Sequence, residues 1–487
     1  MHTPHDARPV DDSIPLATLP VRALLRRPPV TVPPDLPIQA TARIMREHRI
    51  SSVLLARDDG ALVGLVTDRD LRNRVLAEGL DPARPVSEIA TTALQTVDIG
   101  DHAFDALLLM ARLNIHHVPV MDGQTVVGVI SSTDLQQQQS NSAVNLAGAI
   151  YRQESVEELV ATASRIGQLQ RQLAAASTSA HATGRIVSAM TDALTSRLLQ
   201  LAEAQYGPPP VPYAWVAAGS QGRNEQTAKS DQDNCLILDD GYDPAAHGPY
   251  FEALARFVCD GLNACGYIYC PGEMMAMTDT WRQPLARWRE YFRAWIERPE
   301  PKALMLTCVF FDQRFVHGER ALLDTLRAEV LQRTPGQRIF LAHMVSNALT
   351  HQPPLGWLGG IHTIRRGEHE GTVDLKHSGI VPIVDLARIY ALAGGIAAVS
   401  TRERLQAAAS SGEISAERTR DLIDALDFLG GLRIQHQARL MADGQAADNY
   451  LRLDELSELE RRHLKDAFGV VKDLQSVLEK RYLAGRF

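Results

Sequence analysis

Residues 20–135 repeat themselves, and that repetition limits the fold more than any other feature of the chain. Val21-Arg-Ala-Leu24 with Val30-Thr31-Val32 returns as Val86-Ser-Glu-Ile89 with Leu94-Gln-Thr96-Val97. Ile50-Ser-Ser-Val53 returns as Ile115-His-His-Val118, and Gly64-Leu-Val-Thr-Asp-Arg-Asp-Leu71 as Gly128-Val-Ile-Ser-Ser-Thr-Asp-Leu135. The offset is 65 residues and falls to 64 at the last pair, so the turn before Gly128 is one residue shorter. Each copy sets a helical pattern, Ile38 to His48 or His102 to Leu113, among short β-branched runs. A repeated unit of this kind predicts two similar β-α-β modules packed together. Both copies end in Thr or Ser followed three residues later by Asp: Thr67 with Asp70, and Ser131 with Asp134. Asp in that position commonly caps the next helix. His116 and His117 are adjacent on a strand and face opposite sides, so one of them lines a cleft and they do not share a metal.

The second constraint is local. An apolar run from Ala214 to Ala218 ends in Gly219-Ser220, and after a polar turn Asp231-Gln-Asp233 leads into Cys235-Leu-Ile-Leu238. This reads as strand, tight turn, strand. Alternation along a strand puts Asp231 and Asp233 on one face. Two carboxylates held that way can share Mg²⁺, which takes oxygen ligands and leaves room for a nucleotide's phosphates. Gly219 lets the backbone approach a phosphate, and Ser220 offers it a hydroxyl and an N–H. A D-x-D alone is more often a solvated turn; a Gly-Ser pair eleven residues ahead of it, between apolar strands, is far more specific.

The remainder of the chain sets bounds. Its 487 residues imply several domains. A net charge of −8 gives no basic footprint, so a nucleic-acid partner is not expected. No run approaches the roughly 18 apolar residues of a membrane span. Residues 1–17 read as a disordered polar tail without the apolar core of a secretion signal. Five cysteines without zinc-ligand spacing point to a reducing, cytoplasmic setting. Gln136 to Ser142 reads as a linker, and Ala143 to Gln205 as two long helices broken near Ser177 to Gly184. Tyr250 to Cys265 predicts a helix, and Gly266 to Cys270 and Pro271 to Ala276 predict strands. Trp281, Trp288 and Trp295 mark one helix face and read as core. Beyond residue 335 the chain reads as helical, apart from the segments 355–362 and 371–385.

Two family resemblances refine this reading. Residues 18–140 resemble a tandem pair of CBS domains, divided at 80/81. The resemblance implies an adenine nucleotide held by Thr67, Asp70, Ser131 and Asp134: carboxylates accept from ribose hydroxyls and hydroxyls donate to phosphate. Gly219 to Asn234 resembles the nucleotidyltransferase superfamily of DNA polymerase beta. It is most similar to the branch of PII-protein uridylyltransferase and glutamine-synthetase adenylyltransferase, because Gly222-Arg223-Asn224-Glu225 follows the Gly-Ser pair. Gly222, Arg223 and Glu225 then join Gly219 and Ser220 as substrate-binding residues. A third metal-binding carboxylate is implied, with Glu273 at the corresponding place and Asp279 and Asp312 as rivals. Asp374-Leu-Lys376 resembles a segment that follows the catalytic domain in that branch, where Lys376, with Arg365 and Arg366, would neutralise a triphosphate. The expected layout is α/β plus all-α. A CBS pair leads to a helical connector (141–206), a polymerase-beta-like domain (207–333) and a helical C-terminal domain (334–487). The expected function is Mg²⁺-dependent transfer of a nucleotide from an NTP to an acceptor, a protein, by a homodimeric enzyme regulated at the CBS pair. The rivals are a non-catalytic adenine-nucleotide sensor and, more weakly, an RNA-end nucleotidyltransferase.

Overall fold

The computed structural model describes residues 19–25, 27–138, 142–228, 230–300, 304, 307–356 and 360–483. The expected tail 1–17 and part of the tract 136–142 lie outside them. The chain divides into two compact units, Met1–Gly148 and Ala149–Phe487.

In the first unit the repeat becomes two three-stranded sheets. One contains β1 (Thr31–Val32), β2 (Ser52–Ala56) and β3 (Leu62–Thr67); the other contains β4 (Val97–Asp98), β5 (His117–Asp122) and β6 (Thr125–Ser131). In both sheets the first strand runs parallel and the third antiparallel to the central one. The helices Ile38–His48 and Ala103–Leu113 are offset by the same 65 residues. Each ends on a left-handed residue, Arg49 or Asn114, whose N–H turns back to the last helical carbonyls. Ile38, Met45, Val53, Leu55 and Val66 fill the core of the first copy.

The second unit is built on a four-stranded sheet in the order β11-β9-β7-β12. Its strands are β7 (Tyr213–Ala217), β9 (Asn234–Leu238), β11 (Arg282–Pro284) and β12 (Arg314–Gly318). A separate short pair joins β8 (Asp231–Gln232) to β10 (Ile268–Tyr269). The helices Ala180–Tyr206 and Pro244–Ala264 pack on each other. The two long helices expected between 143 and 205 are four: Ser142–Arg152, Val156–Ala163, Arg165–Ala175 and Ala180–Tyr206. Ser155 and Ser179 accept from the N–H three residues on and start new helices, which apolar periodicity does not register. The strand expected at Pro271–Ala276 is a turn instead, with Glu273 at φ +57°. Trp288 is buried and donates to the Leu236 carbonyl, and Trp281 and Trp295 pack around Phe310, as the core reading requires, although Trp281 sits on the short turn Asp279–Trp281 and not on the helix Leu285–Glu297 that carries the other two.

The C-terminal helices Arg338–Ala348, Val381–Ala393, Thr401–Ser410, Ala416–Ala442 and Glu458–Leu483 carry one two-stranded insertion, β13 (Thr372–Asp374) with β14 (Tyr450–Arg452). One apolar cluster runs from Val216 and Cys235 in the sheet through Phe310 and Phe340 to Leu429 and Phe468. Packing is therefore continuous across residue 333, where the sequence suggested a boundary.

Candidate functional site

The motif expected to form strand, turn and strand forms strand, helical turn and two short strands. After β7 the chain enters a four-residue turn of helix, Gly219–Gly222. Its backbone bonds bring the N–H groups of Gly222, Arg223 and Glu225 onto the carbonyls of Ala218, Gly219 and Ser220. The first-turn amides of Gly219 and Ser220 take no part in that ladder. Gly219 has φ +56°, and a Cβ there would sit 2.3 Å from Asp233 Oδ2. Only glycine lets that carboxylate lie against the turn.

Asp231 and Asp233 stay close although a break between β8 and β9 separates them. Their ligand atoms and the Cys270 Sγ all lie within 4.8 Å of one another. Burial, then the charge of Asp231, pushes the Asp233 carboxyl up to about 6. Burial, then Asp233, pushes the Cys270 thiol up to about 12. Lys376 Nζ stands 3.8 Å from Asp231 Oδ1. Two carboxylates with one lysine beside them suit a hard divalent cation, whereas the thiol is a soft donor that suits Mg²⁺ poorly.

Glu273 is exposed on its turn and is not part of this group. Asp279 pairs with Arg282. Asp312 is fully buried and held by three guanidiniums: Arg223 at 2.6 Å, Arg388 at 2.6 and 2.9 Å, and Arg404. These guanidiniums outweigh burial and hold its carboxyl far below the usual range. Cys270 therefore occupies the place expected of the third carboxylate. The signal for it is register: β10 runs parallel to β8 with Ile268 opposite Asp231 and Tyr269 opposite Gln232, so the next residue, Cys270, arrives beside Asp233.

The Gly-Arg-x-Glu residues, expected at the substrate, turn inward. Arg223 binds Glu225 at 2.8 Å as well as Asp312, and Glu225 accepts the Thr401 N–H at 2.8 Å. Gly222 is buried, and a Cβ there would lie 1.9 Å from the Asp312 carbonyl oxygen. Gly222→Ala is accordingly expected to cost about 1–3 kcal/mol through forced backbone displacement, read as a lower urea midpoint. Arg365 and Arg366 are exposed. Arg433, which sequence reading left without a role, is buried and donates to Asn449 Oδ1 at 2.7 Å. Burial lowers it to about 10, opposed by Asp374 and Asp231.

In the first unit a cavity of ≈ 530 Å³ is lined by Thr67, Asp70, Ser131, His116 and His117, among others. Thr67 and Asp70 form a capping box, with Asp70 Oδ2 accepting from Thr67 N at 2.9 Å and Oγ1 at 2.7 Å. Ser131 and Asp134 repeat it, with the backbone bond again 2.9 Å. Ser51 Oγ lies 2.8 Å from His117 Nε2. Both histidines line the cavity, because β5 begins at His117 and strand alternation does not reach His116.

The CBS domain model matches residues 21–77 and 86–140. YhcV of Bacillus subtilis, a CBS domain-containing protein, is 35% identical over 118 residues, 24% of this chain and 84% of that protein. This chain belongs to the CBS-domain family. The same protein carries a match to the family described as "Putative nucleotidyltransferase DUF294" at residues 164–302. Its partner family, "Putative nucleotidyltransferase substrate binding domain", matches residues 338–482. This CBS-domain protein is also 33% identical to Hypoxic response protein 1 of Mycobacterium tuberculosis over 99 residues, 20% of this chain and 69% of that one. Among solved structures, a CBS domain protein of Pyrobaculum aerophilum, complexed with AMP, is 31% identical. That match covers 27% of this chain and 98% of the other, with a TM-score of 0.24. No helix among the described residues is long and apolar enough to cross a membrane.

Proposed function

We propose that the second unit transfers a nucleoside monophosphate from an NTP to an acceptor hydroxyl on a protein, in the manner of the uridylyl- and adenylyltransferases. The observation that carries this is the Gly219 turn pressed against the Asp231–Asp233 pair, with Lys376 beside it. Asp231 and Asp233 would hold Mg²⁺, which supplies charge neutralisation for the triphosphate when bound. The amides of Gly219 and Ser220 would donate to phosphate oxygens, and Lys376 would add its ammonium. Little covalent chemistry is asked of these groups; they position the phosphoryl centre and balance its charge. The test is incubation of the full chain with each labelled NTP, Mg²⁺ and a lysate. Label in protein supports the reading; label in RNA, or none, overturns it. A thiol where a third carboxylate was expected favours the second reading, a nucleotide sensor without turnover.

The first unit's cavity is within the usual size of small-molecule sites and is proposed to take an adenine nucleotide. Calorimetry with AMP, ADP, ATP and S-adenosylmethionine is expected to show binding of at least one. Asp70→Ala should weaken it tenfold or more, about 1.4 kcal/mol. Asp134, which is not among the cavity-lining residues, should matter less. If the ligand also regulates transfer, the rate should change by the 5- to 150-fold range of roughly 1–3 kcal/mol typical of allosteric coupling.

A further inference from the structure

Among the described residues, one group brings three candidate metal ligands together: Asp231, Asp233 and Cys270. Cys270 follows β10, and the turn after it wraps around its side chain. Pro271 has no amide hydrogen to offer. The amides of Gly272 and Met274 donate to Cys270 Sγ, while the Glu273 N–H donates to the Cys270 carbonyl at 2.9 Å. Glu273 makes the reversal at φ +57°. The thiol is in turn hydrogen-bonded to Asp233. Amides aimed at a sulfur favour its thiolate, the form in which cysteine binds a metal. Cys235 and Cys259, by contrast, are buried in the core and belong to no such group among the described residues.

This donor set differs from the one a Mg²⁺ site uses. Mg²⁺ takes oxygen in a near-octahedral shell at about 2.0–2.1 Å and gains little from sulfur. Zinc-type ions accept thiolate and carboxylate together. An ion about 2.3 Å from sulfur and about 2.0–2.2 Å from oxygen would set tetrahedral ligand atoms roughly 3.5 Å apart. The three atoms here already lie within 4.8 Å of one another, so small side-chain rotations close the set. Gly219 keeps the space beside Asp233 Oδ2 free of a side chain.

We propose that Cys270 is the third metal ligand of this site and makes it select a thiophilic divalent ion, of the Zn²⁺ or Co²⁺ type, over Mg²⁺. Coordination replaces the S–H bond with a sulfur–metal bond, and the proton leaves to solvent. The inference rests on Asp231 and Asp233 being metal ligands and revises only the ion they hold. It is independent of turnover, since metal binding alone reveals it.

The full chain, Cys270→Ser and Cys270→Asp, stripped with a chelator and kept reduced, are titrated with Co²⁺, Zn²⁺ and Mg²⁺. Calorimetry gives the affinities, and near-ultraviolet absorption follows Co²⁺. Wild type is expected to show sulfur-to-cobalt charge-transfer absorption, and both variants should lose it. Outer-shell partners of metal ligands are worth roughly 10–100-fold in affinity, so loss of a ligand itself should weaken Zn²⁺ by about tenfold or more in Cys270→Ser. Mg²⁺ affinity should change by less than about twofold in that variant, because its oxygen donors remain. Cys270→Asp supplies a third carboxylate and should tighten Mg²⁺ instead. The cobalt absorption of wild type needs no variant, so a substitution that unfolds the chain leaves the test standing. The inference is overturned if wild type lacks the absorption, or if Cys270→Ser keeps it or binds Zn²⁺ as tightly as wild type. Mg²⁺ binding that disappears in Asp233→Asn would then leave the oxygen site in place without the sulfur. If none of the three ions binds, the metal assignment of the two aspartates falls as well.

Discussion

Asp231→Asn and Asp233→Asn are each expected to abolish nucleotidyl transfer, a loss on the order of 10³-fold, while the fold stays intact. The two carboxylates lie close together, Asp233 against the Gly219 turn, and among the described residues no third acid joins them, so each is half of the oxygen-donor set. Stability provides the control that separates a catalytic role from a structural one. Burial, then the neighbouring Asp231, pushes the folded-state carboxyl of Asp233 up to about 6, above its unfolded value of about 3.9. A raised acid binds its proton more tightly in the folded state, so stability falls as pH rises from about 4 through 6. Removing that charge with asparagine should therefore leave the melting temperature at pH 8 unchanged or higher. Labelled-nucleotide incorporation and melting curves at pH 8 check both halves. Near-wild-type turnover in either variant would remove the metal assignment.

Asp312→Asn is expected to destabilise the second unit by about 3–5 kcal/mol, because it leaves Arg223, Arg388 and Arg404 facing each other in the interior. The whole group is neutral as it stands: three arginines against Asp312, Asp385 and Glu225. Asparagine keeps the shape and removes one charge, so the loss reports electrostatics rather than packing. The Asp312 carboxyl is depressed far below its unfolded value. Its contribution is present above about pH 4 and is lost as pH falls toward the folded value. Urea titrations of wild type and variant at pH 7 and at about pH 2.5, below the unfolded value, check this, the gap between them narrowing at the lower pH. An inactive Asp312→Asn that unfolds at the wild-type midpoint would instead return Asp312 to the list of candidate metal ligands.

The parts of this molecule legible in the sequence are those written in short-range pattern. The 65-residue repeat fixed where strands and helices recur, down to the left-handed Arg49 and Asn114 at equivalent helix ends. The Gly219–Ser220 and Asp231–Asp233 pairs were legible as a short-range motif, although Asp233 falls in the break between β8 and β9 and strand alternation does not account for its place beside Asp231. The partners that arrive from far away were not. Cys270 reaches Asp233 only through the β8–β10 register. Arg388 and Arg404 reach Asp312 across 76 and 92 residues. Glu273 resembled a third metal ligand in linear order, yet its left-handed turn places it on the surface. Arg223 and Glu225 were read as substrate contacts because a motif records which residues recur and not which way they point.

The arginine knot around Asp312 has a consequence for how such a chain can be divided and inherited. Arg223 and Asp312 belong to the sheet-bearing half of the second unit, whereas Arg388 and Arg404 belong to the helical half. A fragment ending near residue 333 would carry a buried acid with one of its three guanidiniums. The complementary fragment would carry two interior cations, with Asp385 still beside Arg388. Neither half is a self-sufficient building block, although family descriptions treat them as two. A genetic cut near residue 333 would strand charges on both sides, so these two halves of the second unit are expected to be inherited together.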